Sequence, residues 1–215
     1  MRVALLSDAH LAGPDDPNQR RLVSFLATLE ADRVCLLGDV FQHWWHWGDR
    51  PFARYAEVIA ALRRFELSFV AGNHDFHAVA FFRAMGADAG DTLDYEWDGL
   101  RVHLEHGDAV DGSLGYRALT ALLRGRGFAA VLDRLPEERA WTLLGRLAGH
   151  GDVRTDPKLV AAQHARAASL DADLVVMGHT HAPELSGRFC NLGASPATWL
   201  LIDGGVPSLQ RHSLE

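Results

Sequence analysis

Five short apolar stretches in this chain each run directly into a cluster of polar side chains, and this pattern constrains the fold most. The clusters read SDAH (7–10), LGDVF (37–41), GNHDF (72–76), EHGD (105–108) and GHTH (178–181). Strand-length runs without polar alternation are typical of strands buried on both faces. Because the carboxyl ends of strands in an open α/β sheet meet at one crevice, we expect the polar side chains to face one another.

The segments between these runs indicate the fold class. Helical patterns at about residues 18–30 and 52–64 alternate with the first apolar runs, as in an α/β layered fold. After about residue 180, short strand-like pieces joined by Gly and Pro predict an antiparallel closing segment. With 215 residues and 48% apolar side chains, the chain can bury one sizeable core, and we expect a single globular body.

Residues 113–170 differ from the rest, because Leu, Ala and aromatic residues recur there at helical spacing. Pro136, followed by two glutamates, is a helix start signal. The segment holds nine Arg or Lys against five Asp or Glu, a net charge of +4. Since the whole chain has a net charge of −7, the remaining residues carry a net charge of −11. We predict a core of residues 1–112 and 171–215 with a helical lid insertion at 113–170.

The sequence also carries signals of location and redox state. No charged leader precedes the strand-like RVALLS, and no apolar run approaches 18 residues, which predicts a soluble, cytoplasmic protein. Cys35 and Cys190 lie in apolar stretches, and we expect buried thiols there rather than a disulfide.

The polar clusters supply carboxylates, imidazoles and an amide but no thiolate, the donor set of a divalent ion such as Mn²⁺, Fe²⁺ or Zn²⁺. The donors are Asp8, His10, Asp39, Asn73, His74, His106, His179 and His181. Asp39 suits a bridge between two cations, which would sit about 3.5–4 Å apart. A lone Asp-x-His or Gly-His-Thr-His cluster is better explained as a loop capped by its own side chains. Five together favour a metal site, since buried polar clusters are costly otherwise.

These motifs, in this order, resemble the calcineurin-like metallophosphoesterases over essentially the whole chain. The resemblance implies an α/β, two-sheet sandwich flanked by helices, with two divalent ions, Mn²⁺ first and Fe²⁺ or Zn²⁺ as alternatives. It places Asp8, His10 and His181 on one ion. It places Asn73, His106 and His179 on the other, with Asp39 between them.

The resemblance also implies catalytic roles. His74 would be an unligated imidazole near the phosphate that donates a proton to the leaving oxygen, and Asp75 would orient His74 by a hydrogen bond. A metal-activated water would attack in line, without a covalent enzyme intermediate.

Longer stretches are similar to the UDP-2,3-diacylglucosamine pyrophosphohydrolases of lipid A synthesis: GDVFQHWWHWGDR (38–50), HGDAVDGSLGYRALTALLRGRG (106–127) and GHTHAPEL (178–185). Those enzymes release UMP and 2,3-diacylglucosamine 1-phosphate, and their lid holds the acyl chains. Two positions depart from the best-studied branch, which has Arg at the position of His74 and Gly-Asp-Asp where this chain has Gly48-Asp49-Arg50.

On this reading the substrate contacts are Asp111, Tyr116, Arg117 and Lys158. The basic lid is expected to rest on the anionic cytoplasmic face of the inner membrane as a peripheral contact. Nucleic acid is not expected as a partner for so acidic a body. Two alternatives stay open: a phosphodiesterase acting on a water-soluble diester or nucleotide, and a non-enzymatic scaffold. The lid could also be an ordinary helical subdomain whose apolar stripe packs on the body.

Overall fold

The computed structural model describes residues 1–46, 51–148 and 155–211. The strands are β1 (Arg2–Leu6), β2 (Arg33–Leu37), β3 (Glu66–Val70), β4 (Asp88–Gly90), β5 (Thr92–Trp97), β6 (Leu100–Glu105), β7 (Leu174–Met177), β8 (Glu184–Ser186), β9 (Phe189–Asn191), β10 (Thr198–Asp203) and β11 (Val206–Arg211). The helices are α1 (Pro17–Thr28), α2 (Ala56–Leu62), α3 (Ala78–Ala84), α4 (Leu114–Leu123), α5 (Arg126–Leu132), α6 (Glu137–Ala148) and α7 (Pro157–Ser169).

The strands form two mixed sheets. The first has the order β11-β10-β1-β2-β3-β4 and the second the order β5-β6-β7-β9-β8. Strands β1 to β4 pair in parallel, as do β6, β7 and β9. The antiparallel pairs β1–β10, β10–β11, β8–β9 and β5–β6 complete the sheets. The predicted antiparallel closing segment is therefore present, except that β9 pairs in parallel with β7.

Alternate residues of β1 show how the layers stack. Val3 and Leu5 point into an apolar layer between the sheets, where they join Val102 and Leu104 of β6. Ala4 and Leu6 point the other way, into a core shared with the helices. Since strands buried on both faces need an apolar layer on each side, the sequence dictates this stacking. The chain is a two-sheet α/β sandwich flanked by helices, which confirms the predicted fold class.

Helix starts in this fold follow local sequence signals. Asp16 and Asp156 each accept a hydrogen bond from a backbone N–H in the first turn of α1 and α7, and a proline follows each of them. Ser113 caps α4 in the same way. Helix α6 begins directly after Pro136, as predicted. These caps satisfy backbone donors that would otherwise lack a partner.

The helices of the predicted insertion lie in two different environments. Helices α4, α5 and α6, here called the lid helices, contribute Leu123, Leu132 and Leu144 to the core on the helical side of the first sheet. Helix α7 instead packs Ala167 against Val175 of β7, on the second sheet. The described part of the segment therefore contains four helices, and α7 packs on a different face of the molecule from the lid helices.

Neither cysteine forms a disulfide, and both are buried, as predicted. Burial raises the pKa of the Cys35 and Cys190 thiols to about 12, which keeps them protonated and unreactive at neutral pH. Among the described helices, none is both long enough and apolar enough to cross a bilayer.

Candidate metal centre

The predicted ligands come together at the carboxyl ends of five strands. Asp8 and His10 follow β1, Asp39 follows β2, and Asn73 follows β3 in the first sheet. The second sheet contributes His106 after β6 and both His179 and His181 after β7. The structure therefore brings together every side chain that the resemblance assigned to metal.

One group of ligand atoms is formed by Asp8, His10 and His181, which lie within 4.8 Å of one another. Nε2 of His181 is 3.2 Å from Oδ1 of Asp8 and 3.3 Å from Nε2 of His10. Ring nitrogens this close to each other and to a carboxylate are typical of imidazoles that converge on a cation.

A second group contains Asp39, His106 and His179, with ligand atoms again within 4.8 Å. Nε2 of His106 lies 3.4 Å from Oδ2 of Asp39 and 3.2 Å from the amide oxygen of Asn73. The other ring nitrogen of His106 donates to the carbonyl of Leu37 at 2.8 Å. That bond leaves Nε2 directed at the site, as in metal-binding histidines generally.

Asp39 lies between the two groups. Its Oδ2 is 3.9 Å from Nε2 of His10, which belongs to the first group, and 3.4 Å from Nε2 of His106 in the second. Its Oδ1 accepts a hydrogen bond from the backbone N–H of His74 at 2.9 Å. One oxygen therefore faces both ligand groups while the other is held by the backbone.

The ligand loops adopt a strained backbone. Asp8, His10, Asp39, His179 and His181 all have φ between +47° and +69°, a region that side-chain-bearing residues seldom adopt and that costs of order 1–3 kcal/mol each. Such conformations persist only where surrounding contacts over-determine them, and they cluster at functional sites.

Two glycines allow these loops to approach one another closely. A Cβ at Gly38 would lie 2.6 Å from the Cα of Gly72, and a Cβ at Gly72 would overlap the Asp39 carboxylate. The Gly-Asp and Gly-Asn motifs therefore occur together because the loops after β2 and β3 touch through their backbones.

Electrostatics also fits a cation site. Although burial alone raises it, the pKa of Asp39 is held well below its usual value by the neighbouring His106 and His74. Burial lowers the pKa of His10 and His179, which favours their neutral, ligating form. Asp8 and Asp39 are both only 2% exposed, and buried carboxylates are normally paired or bound to metal. Oxygen and nitrogen donors without sulfur suit Mn²⁺, Fe²⁺ or Zn²⁺.

His74 reaches the edge of both groups. Its Nδ1 donates to the carbonyl of Gln42 at 2.9 Å, and its Nε2 is 3.9 Å from Oδ2 of Asp39. Nε2 also lies within 4.8 Å of the ligand atoms of His10 and Asp39. Its position allows either a metal bond or contact with a phosphoryl oxygen, so the unligated role stays a prediction.

Asp75 does not orient His74, and this expected contact is wrong. Its buried carboxylate instead accepts backbone N–H bonds from Asp39, Val40, Phe41 and Gly72 at 2.9–3.2 Å. Burial, followed by the nearby Asp39 charge, raises the pKa of Asp75 to about 7. Asp75 therefore connects the loop after β3 to the loop after β2. The contact that orients His74 comes from the Gln42 carbonyl and not, as predicted, from Asp75.

Of the four predicted substrate contacts, Tyr116 lies nearest the site. Its hydroxyl donates to Asp108 at 2.8 Å, and its ring centre is 6.4 Å from that of His179. Arg117 and Lys158 are exposed. Asp111 accepts a backbone bond from Ser113. Within the described ranges, none of these three has a hydrogen bond or ion pair with a ligand residue. Their roles stay predictions, and Gly48-Asp49-Arg50 lies outside the described residues.

Three supporting residues were missed from the sequence. Ser7 donates to Oδ2 of Asp8 at 2.6 Å, and Asp108 is buried behind Tyr116. Both residues belong to the polar clusters at the strand ends, so their position in the sequence could have identified them. Gln163 of α7 bonds to the loop of His179 and His181. No local pattern marks it, because it lies 15 residues from its partner Gly178.

The lid helices close over one side of the site. Arg54 pairs with Glu137 and Glu138 at 2.7 Å and stacks 3.9 Å from the ring centre of Trp141. Between the lid and His74 there remains an apolar cavity of about 20 Å³, room for roughly one water molecule. Its lid side is lined by Leu123, Phe128, Leu132 and Leu144.

A family model matches most of the sequence. Residues 1–206 match the calcineurin-like phosphoesterase superfamily domain. The chain belongs to this superfamily. Its members usually bind a dinuclear metal site, and the Asp and His groups described above could hold one. The superfamily points to a metal-dependent hydrolase.

Three solved structures are similar to this chain at low sequence identity. A novel archaeal phosphodiesterase is 14% identical, with a TM-score of 0.50 over 99% of this chain and 100% of that chain. A single mutant of Vps29 from Entamoeba histolytica is 16% identical, with a TM-score of 0.47 and full coverage of both chains. The phosphopantetheinyl hydrolase of Mycobacterium tuberculosis is 16% identical, with a TM-score of 0.42 over 89% of each chain. No curated protein matches the sequence.

Proposed function

We propose that this protein is a dinuclear metal-dependent hydrolase of phosphodiester or diphosphate bonds. The observation that carries the proposal is the position of Asp39, whose Oδ2 faces ligand atoms of both groups, at 3.9 Å from His10 and 3.4 Å from His106. A carboxylate oxygen shared in this way can hold two cations against their mutual repulsion.

The residues around that position have distinct tasks in the proposal. Asp8, His10 and His181 would hold one ion, and Asn73, His106 and His179 the other. When bound, two such ions supply an activated water and neutralise charge on a phosphoryl group. Nε2 of His74 faces the same space, where as an imidazolium it would donate a proton to the leaving oxygen.

The test is to strip the protein with a chelator and add back Mn²⁺, Fe²⁺ or Zn²⁺ separately. Hydrolysis of bis(p-nitrophenyl) phosphate should vanish on stripping and return with metal, at up to two ions per chain by elemental analysis. Full metal loading without turnover of diester or diphosphate substrates would favour the scaffold alternative instead.

For the substrate, we propose the diphosphate of UDP-2,3-diacylglucosamine, cleaved to UMP and 2,3-diacylglucosamine 1-phosphate. The outward face of the lid helices supports a lipid-linked substrate. Leu114, Leu122 and Val131 are 83%, 53% and 53% exposed on this face. Exposed arginines accompany them at positions 117, 126 and 134. An apolar face with flanking cations is suited to an anionic bilayer surface, such as the cytoplasmic face of the inner membrane.

The interior of the lid favours the second candidate, a water-soluble diester or nucleotide. The cavity of about 20 Å³ beside His74 is far too small for an acyl chain, since a single water needs most of it. In the lipid proposal an acyl chain must therefore displace Leu123 or Phe128. In the alternative, the lid stays closed and those side chains are ordinary core.

A paired assay separates the two. The lipid proposal expects kcat/KM on the diacylated UDP-sugar in mixed micelles to exceed that on UDP-N-acetylglucosamine by orders of magnitude, because each buried methylene contributes up to about 0.8 kcal/mol. It also expects Leu122→Asp with Val131→Asp to abolish binding to vesicles that contain anionic phospholipid. Leu123→Asp is unsuitable for this purpose because Leu123 is only 9% exposed. Equal rates on both substrates would favour the water-soluble one.

A further inference from the structure

Gln163, in the middle of α7, is fully buried and lies against two of the ligand loops. Its exposed fraction is 0%, which is unusual for a glutamine side chain. Helix α7 also packs Ala167 against the second sheet. A buried amide at this point needs partners for both its donors and its acceptor.

The partners lie in the loop that carries His179 and His181. Nε2 of Gln163 donates to the carbonyl of Gly178 at 3.0 Å. Oε1 accepts from the Thr180 hydroxyl at 3.1 Å and from the Asn191 amide at 3.0 Å. The Gln163 side chain therefore hydrogen-bonds to the residues on both sides of His179.

The Asn191 amide completes this network. Its nitrogen lies 2.7 Å from the Gly178 carbonyl, 2.9 Å from the Thr180 hydroxyl and 3.0 Å from Oε1 of Gln163, so its two hydrogens are shared among three acceptors. Buried polar networks of this kind are stabilising only when each member is satisfied. Removing the Gln163 amide would leave the Thr180 hydroxyl with Asn191 alone, and the Gly178 carbonyl with Asn191 and the Thr180 N–H.

The same side chain touches the loop of His106. A Cβ added at Gly107 would overlap Nε2 of Gln163, so the amide packs directly on the residue that follows His106. Gly107 has φ of +97°, a conformation open to glycine. Gln163 thus contacts the backbone beside ligands from both groups.

We propose that Gln163 is a positioning residue for the metal centre, which holds the loops of His106, His179 and His181 in their ligating arrangement. The backbone supplies the reason, because His179 and His181 have φ of +69° and +50° and such residues relax unless their surroundings fix them. Gln163 holds these loops from a helix, and a helix is a more rigid support than a loop. This inference rests on the proposed metal centre but not on the proposed substrate.

The test is metal affinity, measured by competition with a chromophoric chelator on the full chain. Gln163→Met keeps the volume and removes the hydrogen bonds. We expect its affinity for Mn²⁺ or Zn²⁺ to fall by about 10–100-fold, the usual loss when a group that orients metal ligands is removed. Gln163→Glu keeps the acceptor oxygen but places a second oxygen against the Gly178 carbonyl in place of the donor. We therefore expect this variant to recover little of the metal affinity.

The matched control is Val175→Ala, which loosens the contact between α7 and β7 without touching a polar partner. It should lower thermal stability and leave metal affinity unchanged. Thr180→Val removes one partner of Gln163, and in the double variant with Gln163→Met the two losses should be less than additive.

Three results would overturn the inference. Unchanged metal affinity in folded Gln163→Met would show that the network is dispensable. An equal loss of metal affinity in Val175→Ala, at matched stability, would show that Gln163 acts only through the general packing of α7. A wild-type chain that binds no divalent ion would overturn both this inference and the metal centre, whereas metal binding without hydrolysis would affect the proposed function alone.

Discussion

The ligand loops and the lid helices are attached to the core in different ways. The ligand loops are held by buried backbone bonds, such as those from the four N–H groups that donate to Asp75. The lid helices are held by side chains at their margins, among them Arg54 with Glu137 and Glu138, and by the packing of a few leucines. Backbone conformations that are strained and held by many contacts are suited to chemistry, while helices attached through side chains can change position more easily.

The sharpest test of this contrast is Asp39→Asn. It removes the charge that faces both ligand groups while keeping the side-chain shape, so we expect loss of bound metal and a fall in turnover of more than about 10³-fold, since even groups around a metal site are worth about 10–100-fold. Metal content and diester hydrolysis measure it. Asp171→Asn, at a side chain 94% exposed, is the control. A variant that keeps two ions and normal turnover would show that Asp39 is not a metal ligand.

His74→Ala separates chemistry from metal binding within the ligand loops. We expect kcat to fall by about 10²–10⁴-fold, the contribution of a positioned acid or base, while both ions stay bound. Elemental analysis beside steady-state kinetics provides the measurement. If the variant loses an ion, then Nε2 of His74, which lies within 4.8 Å of the ligand atoms of His10 and Asp39, is a ligand and the proton must come from elsewhere.

Arg54→Ala addresses the lid side of the comparison. The guanidinium loses two ion pairs and its contact with Trp141, so we expect the lid to open more often, by about 5–30-fold for a loss of 1–2 kcal/mol. Limited proteolysis within α4–α6 should speed up accordingly, with metal affinity unchanged. Arg63→Ala, at an exposed position, is the control. A parallel loss of metal would mean that the lid and the ligand loops are not separable.

The smallest expected effect concerns His103 in β6, an inner strand of the second sheet. Hydrogen bonding to Glu105, opposed by burial and aided by Asp94, raises the pKa of His103. A raised pKa stabilises the fold fully below the unfolded value of about 6.5 and ceases to do so as pH rises through the folded value. After allowance for solvent screening, His103→Gln should therefore cost on the order of 1 kcal/mol or less at pH 5.5 and still less at pH 8.5. Denaturant titrations at both values measure it, and a cost that does not vary with pH would contradict it.

Particular residues show how far the sequence reaches. The strand runs, the helix start after Pro136 and the candidate metal ligands were recognisable because each depends on residues a few positions apart. The Asp75 contact was misassigned because sequence adjacency to His74 suggested a bond that the loop geometry gives to Gln42. Leu122 and Leu123 are adjacent apolar residues of α4, yet the first is 53% exposed and the second 9%, since neighbours in a helix point about 100° apart.

The sequence by itself determined the layered fold and the place where polar groups converge, because buried strands must be apolar and their polar ends must lie where the chain leaves the sheet. Only the tertiary structure decided which groups hold those ends. Gln163 reaches Gly178 across 15 residues and His106 reaches Leu37 across 69, and such contacts depend on how helices and sheets pack rather than on local pattern. It also decided that the apolar lid residues fill their own interior beside His74, because close packing leaves a cavity of only about 20 Å³ there.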